Sequence, residues 1–231
     1  MMENLILIET STSLCSVALV QDGNVVCERI SSEPRAHASL TTVFVNEVLQ
    51  ESGLKVTGCS AVAVGKGPGS YTGLRVGVST AKGLCFGAGL PLIAVGTLET
   101  LVWQAIDEGL LPEGCRHIVP MVDARRMEVY TGIFTTDGRQ TSPTEAMIIG
   151  EDSFSELLSE GPVLFIGDGA GKCQDILKDP NAHFIQCCPK ASSMLHPALQ
   201  SLKDGVFEDV AYFEPFYLKE FTTTVSKKKL F

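Results

Sequence analysis

The run from Gly65 to Arg75, Gly-Lys-Gly-Pro-Gly-Ser-Tyr-Thr-Gly-Leu-Arg, constrains this chain more than any other stretch. It follows an apolar, strand-like segment, Ala61-Val62-Ala63-Val64, and opens a long helical pattern. Glycines at alternate positions permit a sharp strand-to-helix turn and close approach of another backbone or an anion. Pro68 stiffens the turn by fixing its own φ. The spacing excludes two phosphate motifs. A P-loop needs Lys-Ser/Thr after its last glycine, but Gly69 leads into Ser70-Tyr71. A dinucleotide fingerprint needs an acid at the end of the next strand, and Gly89 to Val95 carries none. Two readings stand: a tight turn that launches a helix, or a site for an anion or partner.

The rest of the chain reads as an α/β unit written twice. Leu5 to Glu9, Ser16 to Val20 and Val25 to Glu28 form strands, with Asp22-Gly23 as a hairpin turn. The same order returns at Ile118 to Val122, ending in Asp123, followed by a strand over Glu128 to Phe134 and a turn at Asp137-Gly138. An acid ends the first strand in both halves. This repetition predicts a duplicated α/β fold with mixed sheets covered by helices. The turn-rich stretch Gly109 to Arg116 separates residues 1–108 from residues 109–231, with the final segment packing back toward the first domain.

Helices are expected over Ala36 to Ser52, with Gly53 as a stop, over Thr72 to Ala88, and over Leu98 to Glu108 with Thr97 as N-cap. A further helix over Met194 to Lys203 is expected to kink near Pro197. At 100° per residue, Gly73, Gly77, Thr80, Leu84 and Gly87 share one side of the second helix, opposite Arg75 and Lys82. Interior glycines cost roughly 1 kcal/mol each relative to alanine, so this small-residue stripe needs compensating packing. The helix that packs there comes from the same chain or from another.

At 231 residues, 45% of them hydrophobic, the chain can bury one large core or two modest ones. No apolar run approaches the roughly 20 residues that span a bilayer. Met1-Met2-Glu3-Asn4 lacks the basic start of a secretory signal, so a cytoplasmic protein without membrane attachment is expected. Eight cysteines with no CxxC pair predict buried free thiols rather than disulfides or zinc. A net charge of −9 argues against gripping nucleic acid with the whole surface; the basic cluster is Lys227-Lys228-Lys229.

No catalytic set emerges. The four histidines are scattered, and the helix-borne partner of His37 at i+4 is Thr41, so no metal site is expected. Gly69-Ser70-Tyr71-Thr72-Gly73 imitates a nucleophile elbow, with His183 and His196 later in the chain, although Ser70 and Thr72 serve equally as helix caps. Asp123-Ala124-Arg125-Arg126 reads as a cleft-lining polar stretch or as an Asp–Arg pair that steadies a hairpin.

Four blocks now combine: Ile8 to Thr12 with Cys15 to Leu19, Gly65 to Gly83, Val122 to Arg126 with Glu128 to Tyr130, and Glu214 to Lys219. Together they resemble the TsaB (YeaZ) family, glycoprotease-like bacterial proteins of tRNA threonylcarbamoyladenosine biosynthesis. The resemblance implies two actin-like (ribonuclease H-like, ASKHA) domains and a non-catalytic subunit. Such a subunit docks on the enzyme TsaD, which transfers threonylcarbamoyl from its adenylate to adenosine in tRNA. A small ATPase, TsaE, joins the assembly, ATP or ADP enters only within the complex, and tRNA is met indirectly. The implied helix–helix surface, used for TsaD or for a homodimer, comprises Leu40, Phe44, Gly73, Gly77, Thr80 and Leu84. Thr10, Ser11, Gly67, Gly69, Ser70 and Arg75 are the candidate nucleotide or anion contacts. Glu9 departs from the Asp that many actin-like ATPases carry there, which disfavours a hard-cation site. The alternatives are a nucleotide-dependent phosphotransferase and a glycoprotease-like peptidase.

Overall fold

A computed structural model describes residues 3–219; the Lys227–Lys229 cluster lies outside the described residues. The first half builds a five-stranded sheet from β1 (Asn4–Glu9), β2 (Cys15–Gln21), β3 (Asn24–Ser31), β4 (Ala61–Gly67) and β5 (Leu92–Gly96), in the order β3-β2-β1-β4-β5. β1 to β3 run antiparallel and β4 and β5 join in parallel, so the sheet is mixed. Asp22 and Gly23 take φ of 46° and 78°, the left-handed pair that a tight hairpin requires.

The second half repeats this plan with β6 (His117–Asp123), β7 (Glu128–Thr131), β8 (Phe134–Thr135), β9 (Glu145–Ile148), β10 (Val163–Ile166) and β11 (Ala182–Ile185). The order β11-β10-β6-β7-β9 is the first sheet's order read from the other end. Both halves thus share one mixed α/β plan, as the duplicated pattern predicts. The expected strand over Glu128 to Phe134 breaks at Gly132, because the Ile133 N–H turns away to Ser142 Oγ at 2.8 Å.

Helices α1 (His37–Glu51) and α2 (Tyr71–Ala88) cover one face of the first sheet, where Phe44, Val45, Val48, Val78, Ala81 and Cys85 meet Ile6, Ile8, Val62 and Val64. The other face is covered from far along the chain. A 3-10 turn at Ala191–Met194 and helix α6 (Leu195–Asp204) place Ala191, Met194 and Ala198 on Leu5, Leu7, Ala63 and Ile93. Conversely, α3 (Thr97–Asp107) buries Leu98, Leu101, Val102 and Ala105 against Ile118, Val122, Leu164 and Ile166 of the second sheet. Short helices α4 (Ser155–Glu160) and α5 (Ala170–Cys173) cover that sheet's opposite face. α3, at the end of residues 1–108, thus buries its apolar stripe in the second sheet's core.

Two local expectations change as well. Gly96, not Thr97, is the N-cap of α3; Thr97 is already helical, and its buried hydroxyl has no partner among the described residues. Pro197 sits in the first turn of α6, where its missing N–H costs no helical bond, so the helix does not kink there. All eight cysteines are free, and burial pushes the Cys59 and Cys85 thiols up to about 11.

Candidate functional site

β1 and β4 deliver two loops into one knot. Glu9 ends β1 with its side chain fully buried, and its Oε1 accepts the Ser11 N–H at 2.6 Å. Gly65 on β4 makes room for this carboxyl: a Cβ there would lie 2.5 Å from Oε2. Burial raises the Glu9 pKa from 4.5 to about 6, against the opposing effect of hydrogen bonding from Ser11. Ser70 N–H donates to Ser11 O at 2.6 Å, and Ser70 Oγ accepts the Gly73 N–H at 3.3 Å as the cap of α2. Thr10 Oγ1 donates to Gly73 O at 2.8 Å. Gly69 is pinned because a Cβ would stand 2.3 Å from Ser11 O.

Of the anticipated anion contacts, Thr10, Ser11, Gly69 and Ser70 do converge, but on one another. Thr10 and Ser11 are fully buried. Gly67, at φ +107°, is covered by Phe216, whose N–H donates to Lys66 O at 2.7 Å. Arg75 does not join them; it is exposed and lies 4.3 Å over the Tyr71 ring. A divalent cation needs several oxygen ligands in an open cage. Glu9 is sealed, with one oxygen spent on a backbone amide, and no group of three His, Cys, Asp or Glu among the described residues is placed to hold a metal. The residues do not fit a metal–nucleotide site. Thr41, at the position where a metal-binding helix would carry its second histidine, is buried and donates to His37 O at 2.7 Å.

The anticipated helix surface is corrected by burial. Gly73 and Gly77 are not open to a partner: a Cβ on them would stand 2.1 Å from Thr10 O and 2.3 Å from Thr10 Oγ1. The small-residue stripe is there so that α2 can press on the β1 loop of its own chain. Phe44, only 9% exposed, belongs to the core, while Leu40 and Leu84 are half-buried against it and Thr80 is half-buried. The outward face is the opposite one. Continuing the row Arg75, Ser79, Lys82 by one turn reaches Phe86, 86% exposed, and α1 adds Val43 at 44%. Exposed Ser79 and Gly83 keep that face low. The helical spacing that placed Arg75 and Lys82 together already carried this signal, but a lone phenylalanine among glycines did not stand out.

In the second half Asp123 ends β6 as Glu9 ends β1. Its partner is not an arginine. Lys172 from α5 bonds Asp123 and also Arg126 O at 2.8 Å and Glu128 O at 2.7 Å, while Asp123 Oδ1 accepts the Arg125 N–H. This grip holds Arg125 and Arg126 at φ of 72° and 51°. Burial pushes the neighbouring Asp168 carboxyl up, while its Oδ1 accepts the Asp123 N–H at 2.9 Å. Among the described residues nothing assembles around Ser70 as in a peptidase: its oxygen caps a helix, His196 is held by Asp107 and stacks on Trp103, and His183 lies on the edge strand β11.

A family model described as TsaD, tRNA N6-adenosine threonylcarbamoyltransferase, matches residues 24–222. The Escherichia coli K12 tRNA threonylcarbamoyladenosine biosynthesis protein TsaB is 33% identical over 232 residues, 96% of each chain. The Bacillus subtilis protein of the same name is 32% identical over 74% of each. Among solved structures, a Pseudomonas aeruginosa protein described as similar to peptidase YeaZ superposes with a TM-score of 0.83 at 27% identity. That match covers 94% of this chain and 100% of the other.

Proposed function

Because this chain belongs to the TsaB (YeaZ) family, we propose that it serves the formation of N6-threonylcarbamoyladenosine in tRNA as a subunit without chemistry of its own. In this reading it docks on a TsaD-like enzyme, the threonylcarbamoyl transferase, through the outer face of α1 and α2. A second copy of the chain uses the same face when the enzyme is absent, a TsaE-like ATPase joins the complex, and tRNA is met through the enzyme in the cytoplasm. Any ATP or ADP belongs to the assembly.

The observation that carries the reading is a contrast between two surfaces of α2. Its inner side and the glycine loop are consumed by contacts within the chain, whereas its outer side leaves Phe86 exposed beside Ser79 and Gly83, and α1 leaves Val43 exposed. An aromatic anchor on a low surface is what a well-packed interface needs at its centre. The phosphotransferase and peptidase readings find no such support.

The test is Phe86→Asp combined with Val43→Asp, mixed with a TsaD-like enzyme and followed by calorimetry and by tRNA modification in a reconstituted system. Binding is expected to weaken at least about tenfold, since a buried charge replaces an aromatic anchor, with the melting temperature unchanged. A complex of undiminished affinity would remove this face from the interface.

A further inference from the structure

The segment after α6 ties the two halves together. Glu208 N–H donates to Leu92 O at 2.8 Å, forming an isolated bridge on the outer strand of the first sheet. Lys82 Nζ, from α2, then donates to Ala211 O at 3.2 Å and Phe213 O at 2.9 Å. Phe216 N–H reaches Lys66 O at 2.7 Å, and its own carbonyl lies where a Cβ on Gly67 would come within 2.8 Å. Tyr217 packs on Tyr71 with ring centroids 4.8 Å apart. Past this point the segment crosses to the second half. Lys219 pairs with Glu128 at the start of β7, its ammonium 5.9 Å from the Tyr130 ring centre.

We propose that residues 208–219 are a latch. Seated, they cover the glycine loop and join α2 to β7; unseated at Lys219, they uncover both. The anchors are unequal, and that decides which end gives. At its start the segment is held on the first half by the Glu208 backbone bond and two Lys82–carbonyl bonds, while Phe216 and Tyr217, next to Lys219, add one backbone bond and an aromatic contact. Toward the second half the ion pair is water-exposed, at 39% for Lys219 and 23% for Glu128. Exposed pairs shift an equilibrium by a factor of about five at most, and salt screens them. The Lys219 end therefore opens first, and Phe216 and Tyr217 follow it off the loop.

The latch also shares Lys82 with the outward row of α2, one turn from Phe86. A partner seated on that row presses on a segment whose far end lies at the Arg125–Arg126 hairpin. This coupling, unlike the latch itself, rests on the docking reading above.

Hydrogen exchange read by mass spectrometry on the full chain tests both. In Lys219→Glu the peptides over 65–70 and 213–219, including the Phe216 amide, should exchange about fivefold faster. β1, β6 and residues 61–64 of β4 should be unchanged, which controls for misfolding. The swapped pair Lys219→Glu with Glu128→Lys should restore the wild-type rates, and roughly 0.5 M salt should move wild type toward the single variant. Unchanged exchange in Lys219→Glu, or no rescue by the swap, overturns the latch. A TsaD-like partner that binds while leaving 213–219 unaltered overturns the coupling alone; no binding at all counts against the docking reading alone.

Discussion

Two glycine-to-alanine substitutions in the same helix should have opposite effects on stability. Helix propensity by itself says that either change in α2 stabilises the fold by up to about 1 kcal/mol, because glycine loses more backbone freedom on folding. At Gly83 nothing stands within 4 Å of the added methyl, so that gain should be realised. At Gly73 the methyl would lie 2.1 Å from Thr10 O, far inside the roughly 3.5 Å optimum for non-bonded heavy atoms. The obstacle is backbone, not the end of a flexible side chain, so α2 or the β1 loop must move. Overpacking of this kind costs about 1–3 kcal/mol, and the shift also strains the Thr10 Oγ1 to Gly73 O bond, worth about 1 kcal/mol. Set against the propensity gain, Gly73→Ala should destabilise by about 2 kcal/mol and Gly83→Ala should stabilise by somewhat less than 1. For a chain of this length that means a melting temperature about 4–8 °C lower for the first and a few degrees higher for the second. Urea unfolding at constant m-value is the assay, since an altered slope would signal a change in the unfolded state. If both variants shift in the same direction, the claim that the stripe faces inward is wrong.

Three other outcomes follow from the same contacts. Glu9 holds its proton to higher pH when folded, about 6 against 4.5, so its favourable contribution is complete below 4.5 and is lost as pH rises through 6. The loss is about 2 kcal/mol. Wild-type stability should therefore fall by about that much between pH 4 and 7 relative to Glu9→Gln, measured by urea unfolding; parallel curves would refute the burial argument. Lys172→Ala should cost about 1–2 kcal/mol and raise amide exchange at residues 123–128, whereas unaltered exchange there would mean that the left-handed pair Arg125–Arg126 holds itself. Thiol titration of the native protein near pH 8 should leave Cys15, Cys59, Cys85 and Cys173 unreacted until denaturant is added; rapid labelling of all eight would contradict their burial.

The fold was legible in good part because its signals are local. Asp22-Gly23 and Asp137-Gly138 announce hairpins through their φ preference, with Gly138 at +86°. The glycine run after an apolar strand announces a strand-to-helix turn, and Ser70 caps that helix as its position suggested. The candidate site was legible only in its membership. Glycine spacing says that something comes very close to Gly73 and Gly77, but not whether that neighbour is a phosphate, another protein or Thr10 of the same chain. Likewise Asp123 invited an arginine two residues away, yet the partner is Lys172, delivered by a helix on the second sheet.

Residue order determined the duplicated architecture, since turn chemistry and the two- and three-to-four-residue apolar periods act over a few neighbours. Which half owns each helix was decided only in three dimensions: α3 and α6 each bury their stripe where a long-range apolar surface awaits it. The same holds for α2. Glycines on one face and Arg75 and Lys82 on the other do not say which face meets its own chain; the arrival of Thr10 beneath the glycines leaves Phe86 on the other facing water.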